Sequence, residues 1–291
     1  PHAAMPLSRL KAPAKEMGMT KTTMFEGPFG EIAVHESEGV GRPIVLIHGN
    51  SSSARAFSRQ LEGPLGASHR LVAIDLMGHG RSADAGDPAA YLLSGHARSL
   101  VALLTSRGIE DSILVGWSLG GHILLEAAPD LAKARGLAIF GTPPIGFPPA
   151  MDKAFLPNPA MQAGFMPEIT PEMARDYVAA FFAPGFVDVP PFFIEDVVRT
   201  DGIARAQVGA SIDPALTRDE VEIAAALKIP LAVLHGAREQ LVNGAYFDSL
   251  KLPTLWRGAT QVIAEAGHAP HWECPEEFDA LLRAFAADCG T

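Results

Sequence analysis

Short apolar runs alternate along the chain with longer stretches in which apolar residues recur at helical spacing. Phe29–Glu36 alternates apolar and polar side chains, as a half-buried strand does. The runs at Pro43–Ile47, Arg70–Leu76, Ser112–Trp117, Gly136–Phe140, Ile229–Leu234 and Thr260–Ile263 are nearly continuous, which predicts strands covered on both faces. Ser94–Gly108, Gly120–Ala134 and Pro275–Asp288 carry the spacing of amphipathic helices. Strands alternating with helices predict βαβ units, hence an α/β fold with a mostly parallel central sheet flanked by helices.

The rhythm breaks over residues 142–227, an interval too long for one crossover helix and rich in Pro, Met and Phe. The expected organisation is a core of residues 21–144 and 228–291 with an inserted helical cap at 145–227. The competing reading of this insert is a second packing layer without a site. No internal repeat or low-complexity tract interrupts the pattern.

Composition narrows the class. With 48% hydrophobic and 19% charged residues in a chain of 291, a large buried core is available and disorder is not expected. The net charge of -10 repels phosphate backbones and anionic lipid, so neither nucleic acid nor membrane is an expected partner. No apolar run approaches the roughly 18 residues of a membrane helix. Cys274 and Cys289 alone make no disulfide framework, and a reduced, cytoplasmic setting is the simpler expectation. Residues 1–20 lack an apolar stretch ahead of a cleavage site, so no secretory signal is expected.

The chemistry gathers where predicted strands end. Gly116-Trp117-Ser118-Leu119-Gly120 is a G-x-S-x-G pentapeptide between the strand Ser112–Trp117 and a helix. A nucleophile on a sharp strand-to-helix turn needs glycines beside it for close chain approach, and the helix N-terminus favours developing negative charge. Ser118 is therefore the expected nucleophile. The oxyanion of an acyl-transfer intermediate needs two donors; the N–H of Leu119 and that of Asn50, at the end of an earlier strand, are the candidates. His48 reads as a packing and hydrogen-bonding residue, and Ser51–Ser53 as a polar cap.

Ten histidines compete for the base. His268, in Ala266-Gly-His-Ala-Pro270 after the last strand, is favoured over His271 and over the upstream His79. His122 is expected to pack below the nucleophile. The acid is expected after the strand ending at Leu234, where Glu239 stands; Asp248 is its rival on a later turn. In this arrangement the carboxylate orients the imidazole, which takes the serine proton and hands it to the leaving group. No metal-ligand spacing and no G-x-G-x-x-G turn occurs, so no metal or nucleotide cofactor is expected.

Beyond the pentapeptide, the chain resembles the α/β-hydrolase-type N-acyl-homoserine lactonases. The residues that carry this are His48-Gly-Asn-Ser-Ser-Ser53, Gly116-Trp-Ser-Leu-Gly-Gly-His-Ile123, Gly141-Thr-Pro-Pro144, Arg199-Thr-Asp-Gly202, Leu255-Trp256, Ala266–Pro270 and Glu277-Phe-Asp-Ala280. The resemblance implies a Ser-His-Glu triad, which favours Glu239 as the acid, and ring opening of a homoserine lactone through an acyl-enzyme. It matches least over 145–190, where chain-length choice would lie. Tyr177, Phe181 and Phe182 are the expected acyl-chain contacts; Trp117 either meets the substrate amide or packs. Two alternatives share these residues: a general esterase or carbon–carbon hydrolase, and a ligand receptor with slow turnover.

Overall fold

The computed structural model describes residues 20–290. The expectation about a secretory signal falls, apart from Thr20, outside the described residues. Eight strands form one sheet in the order β1-β2-β4-β3-β5-β6-β7-β8: β1 Lys21–Gly27, β2 Gly30–Glu36, β3 Ile44–Ile47, β4 Leu71–Ile74, β5 Ile113–Trp117, β6 Gly136–Phe140, β7 Leu231–Gly236 and β8 Gln261–Ile263. β1 pairs antiparallel with β2, and β2 antiparallel with β4. From β4 through β8 every pairing is parallel. This is the mostly parallel α/β fold the sequence predicts.

Every residue of β3, β4, β5 and β6 is buried, which matches their unbroken apolar runs. β1 was not expected. Its sequence KTTMFEG has no apolar run, and its residues are only exposed or half-buried at the sheet edge. The predicted helix Gly120–Ala134 is shorter than its pattern: it spans Leu119–Ala127 and gives way to a 3-10 turn at Ala128–Asp130. Pro129 has no N–H to donate and its ring crowds the carbonyl a turn back, so the helix stops there. The other two predicted helices form at Leu93–Ser106 and Pro275–Asp288.

Between β6 and β7 the chain runs through short helical elements rather than one crossover helix: Met151–Ala154, Pro159–Phe165, Pro171–Ala179, Pro191–Arg199, Gly202–Ala210 and Glu220–Ala226. Specific polar contacts tie these to the sheet. Buried Asp196 accepts from Ser53 Oγ at 2.6 Å and pairs with Arg55. Tyr91 donates its hydroxyl to Asp201 at 2.6 Å, and the Asp201 N–H donates to the Gly78 carbonyl. Arg199 reaches Asp84 at 2.9 Å. The Arg199–Gly202 segment thus binds the helices to the loop after β4.

In the sheet order, β4 lies on one side of β3 and β5 on the other, so the direction of winding reverses at β3. Ligand sites in open parallel sheets lie at such reversals, beyond the carboxyl ends of the strands.

Candidate active site

Ser118 is the turn between β5 and the helix Leu119–Ala127, with φ 52° and ψ −118°. A left-handed serine is strained and must be held by its surroundings. Its N–H donates to the Phe140 carbonyl at 2.8 Å, and its carbonyl accepts from Thr142 Oγ1 at 2.8 Å and from the Gly121 N–H at 2.9 Å. The glycines of the pentapeptide are steric requirements. A Cβ on Gly120 would lie 2.2 Å from the Ile47 carbonyl oxygen, and one on Gly116 would lie 2.5 Å from the Gly120 carbonyl carbon.

His268 and Glu239 arrive from the loops after β8 and β7. His268 Nδ1 and Glu239 Oε2 are 2.8 Å apart, with both side chains 3% exposed. A carboxylate only accepts, so it holds the proton on Nδ1 and leaves Nε2 with its lone pair in the neutral ring. The other carboxylate oxygen is anchored by the N–H groups of Gln240 at 3.0 Å and Leu241 at 2.8 Å. The His268 backbone is pinned as well. Its carbonyl accepts from Trp117 Nε1 at 2.8 Å, and the preceding Gly267 N–H donates to Glu273 at 2.8 Å. A second Glu273 oxygen accepts from the Ala183 N–H at 2.6 Å, which joins the histidine loop to the segment after Phe182. Burial raises the Glu273 carboxyl above the usual range, against those N–H bonds.

The rivals sit elsewhere. His271 is fully buried among Phe57, Trp117 and Phe140, with ring centroids 4.8 to 5.1 Å away. Neither of its ring nitrogens has a hydrogen-bond partner among the described residues, and burial holds its pKa well below the ordinary value. It is a neutral packing histidine. Asp248 is exposed on the 3-10 turn Gly244–Ser249. His48 is buried, its Nδ1 bonded to the Gly49 carbonyl at 2.8 Å and its Nε2 accepting from the Leu76 N–H at 3.0 Å.

Ser118, His268, Asn50 and Leu119 line one cavity, which has about 820 Å³ of unfilled space counting its mouth. The Asn50 and Leu119 N–H groups donate no hydrogen bond among the described residues, as oxyanion donors require. The Asn50 side chain is committed elsewhere, donating to the Gly164 carbonyl at 2.6 Å. Most of the wall is apolar, with Phe147, Met151, Phe155, Met161 and Phe165 from the stretch between β6 and β7. Such a surface suits a hydrocarbon chain with few polar groups to orient it.

Of the four aromatic residues singled out as substrate contacts, only Tyr177 lines this cavity. Burial pushes its phenol pKa up, so it stays a hydroxyl. Trp117 is 1% exposed and packs edge-on against Phe181 and Phe193. Phe181 meets Tyr177 edge to face at 4.7 Å and lies 6.2 Å from the His268 ring. Phe182 stacks on Phe186 at 5.2 Å. These three are packed around the His268 loop instead of lining the chamber. His122, expected to pack below the nucleophile, lines the cavity instead. It stands four residues after Ser118, on the same helix face, so helical periodicity was the signal available. Its Nδ1 lies 2.9 Å from Glu220 Oε2, and both residues line the cavity. No local feature marks Glu220.

Comparison with known proteins places the chain among hydrolases. The pimeloyl-[acyl-carrier protein] methyl ester esterase of Stenotrophomonas maltophilia (strain R551-3) is 28% identical over 261 residues, covering 87% of this chain and 95% of that protein. Among solved structures, the N-acyl homoserine lactonase AidH complexed with N-butanoyl homoserine aligns at a TM-score of 0.89 and 37% identity, covering 93% of this chain and 98% of that chain. A serine-to-glycine variant of AidH, complexed with N-hexanoyl homoserine lactone, aligns equally well at 0.89. The esterase RhEst1 of Rhodococcus sp. ECU1013 aligns at 0.73 and 26% identity, covering 92% of this chain and 99% of that one. Residues 44–281 match the alpha/beta hydrolase family, and this chain belongs to it.

Proposed function

We propose that this protein is a serine hydrolase that opens the lactone ring of N-acyl homoserine lactones. The observation that carries the reading is the likeness to AidH, at 37% identity and a TM-score of 0.89 over 98% of that chain. The strained Ser118, the His268–Glu239 pair and the apolar chamber beside them support it.

Ser118 Oγ attacks the ring carbonyl while His268 Nε2 takes its proton. Glu239 orients the ring and stabilises the imidazolium through Nδ1–H. The N–H groups of Asn50 and Leu119 receive the oxyanion. As the tetrahedral intermediate collapses, the ring oxygen leaves and collects the proton from His268. That alcohol remains tethered to the acyl-enzyme, and reclosure enjoys a high effective molarity. Water activated by His268 must therefore attack promptly from the leaving-group side. The product carboxylate ionises at neutral pH, which draws the reaction forward. In this reading residues 145–227 act as a helical cap, and its apolar residues hold the acyl chain beside Tyr177. Ring opening removes an acyl-lactone signal, a quorum-quenching role, and a cytoplasmic setting suits it. No helix among the described residues is long and apolar enough to cross a membrane.

The test is product analysis. Incubation with acyl homoserine lactones of several chain lengths should yield the acyl homoserines at ordinary enzyme rates over many turnovers. Rapid cleavage of p-nitrophenyl esters with no acyl homoserine formed would move the protein to the general esterases, the class of RhEst1. A single turnover followed by a stall would mark a receptor instead.

A further inference from the structure

The cavity contains a second histidine–carboxylate pair. His122 Nδ1 lies 3.0 Å and 2.9 Å from the two oxygens of Glu220, whose side chain is 2% exposed. Glu220 also accepts from the Ile145 N–H at 2.8 Å. The carboxylate fixes the proton on Nδ1 whatever the charge of the ring. Three other polar side chains of the wall are committed elsewhere. Ser211 Oγ donates to the Gln207 carbonyl at 2.9 Å, and Thr217 Oγ1 to the Ser211 carbonyl at 2.6 Å. Arg218 Nη1 bonds the Glu126 carbonyl at 2.8 Å. His122 lines the cavity, and its Nε2 makes no hydrogen bond among the described residues.

Helix geometry sets where His122 stands relative to the nucleophile. His122 is one turn after Ser118, and its N–H donates to the Ser118 carbonyl at 3.3 Å. Four residues rise about 6 Å along the axis, and helical side chains lean toward the N-terminus, here toward the nucleophile. In an acyl homoserine lactone the third carbon of the acyl chain is five bonds from the attacked carbonyl, about 6 Å of extended chain. A hydrocarbon chain offers nothing to a ring nitrogen at that depth. An oxygen on that carbon does.

We infer that His122, held by Glu220, is a specificity-determining residue that hydrogen-bonds an oxygen substituent on the third carbon of the acyl chain, its Nε2 accepting from a hydroxyl when the ring is neutral or donating to an oxo oxygen when the ring is an imidazolium, so that the preferred substrates are 3-hydroxy- or 3-oxoacyl homoserine lactones. The inference rests on the lactonase reading above. A site that carries a partnerless polar group discriminates against a ligand unable to satisfy it.

The test compares kcat/KM for hexanoyl, 3-oxohexanoyl and 3-hydroxyhexanoyl homoserine lactones in the unaltered protein and in two variants. One is His122→Gln. The other is the double variant His122→Leu/Glu220→Leu, which leaves no unpaired carboxylate in the wall. The unaltered protein should favour at least one oxygenated substrate by about fivefold, the worth of one neutral hydrogen bond. The double variant should bring that ratio to about one while still opening the hexanoyl lactone, and His122→Gln should fall between. A merely structural role would lower all rates together and leave the ratio unmoved. Equal rates on all three lactones in the unaltered protein, or an unchanged preference in the double variant, would overturn the inference and leave the lactonase reading standing. Cleavage of p-nitrophenyl acetate with no lactone opened would overturn both.

Discussion

In the proposed reaction Ser118 combines two demands that conflict, a reactive position and an unfavourable backbone. Its φ of 52° costs a non-glycine residue roughly 1–3 kcal/mol, offset by the bonds from Thr142 and to Phe140. Ser118→Ala keeps the strain and loses the nucleophile. It should cut turnover by about 10³-fold or more with the fold intact, read by steady-state kinetics and circular dichroism. Ser118→Gly should be equally inactive yet more stable than Ser118→Ala by about 1 kcal/mol, or roughly 2–4 °C in melting temperature for a chain of this size. Equal melting temperatures would mean that the turn stores no strain. The same logic separates the two carboxylates. Glu239 is 2.8 Å from His268 whereas Asp248 is exposed on another turn. Glu239→Gln should lose about 10²-fold or more in kcat, by analogy with the amide substitution of a triad acid, and Asp248→Asn should change little. The reverse order would reassign the acid.

At the scale of elements, the loop after β8 is positioned by contacts to its backbone that do not involve the His268 ring. Glu273 ties the Gly267 N–H to that of Ala183, so one carboxylate fixes the histidine loop against the segment after Phe182. Glu273→Gln keeps one acceptor and turns an amide donor toward the second N–H. The expected result is a loss of about 1–3 kcal/mol in stability, from one buried donor without a partner. kcat should fall with KM for a short ester nearly unchanged, because His268 loses its register while the chamber keeps its wall. A variant with unaltered kcat would show that Trp117 Nε1, bonded to the His268 carbonyl, holds the loop alone.

Across the whole molecule, the buried histidines set the response to acid. Burial lowers the pKa of His48, takes His79 and His271 well below the ordinary value, and brings His96 to about 3. The unfolded chain protonates these rings from about pH 6.5 downward, while the folded protein does not. Their stabilising contribution is therefore whole above about pH 6.5 and is lost as the pH falls toward about 3, where His96 takes a proton in the folded state. Each ring can contribute a slope of up to about 1.4 kcal/mol per pH unit. Asp279, pushed up to about 6 by burial, acts oppositely and loses its contribution as the pH rises through that value, and the raised carboxyls of Glu126, Asp196 and Glu273 act in the same sense. His235 is lowered by burial as well, and between pH 7 and pH 5 it is the histidines whose ordinary value lies inside the range, so the melting temperature should fall from pH 7 to pH 5. A flat profile over that range would contradict the neutral-histidine reading.

The amino-acid sequence by itself determined whatever depends on local periodicity and local sterics. Continuous apolar runs marked the buried strands, and the glycines around Ser118 marked a sharp strand-to-helix turn. Chain order placed His268 and Glu239 on the last two loops, and the structure brings them to 2.8 Å. Edge strand β1 escaped because half-exposed residues carry no apolar run. Tertiary structure alone decided what each buried side chain faces. Phe181 and Phe182 are as apolar as Phe155 and Phe165, yet the first two pack around the histidine loop and the second two line the chamber. Glu220 meets His122 across 98 residues of chain. Hydrophobicity records only that a residue leaves water; whether it leaves for a packed core or for an open cavity depends on neighbours that folding supplies.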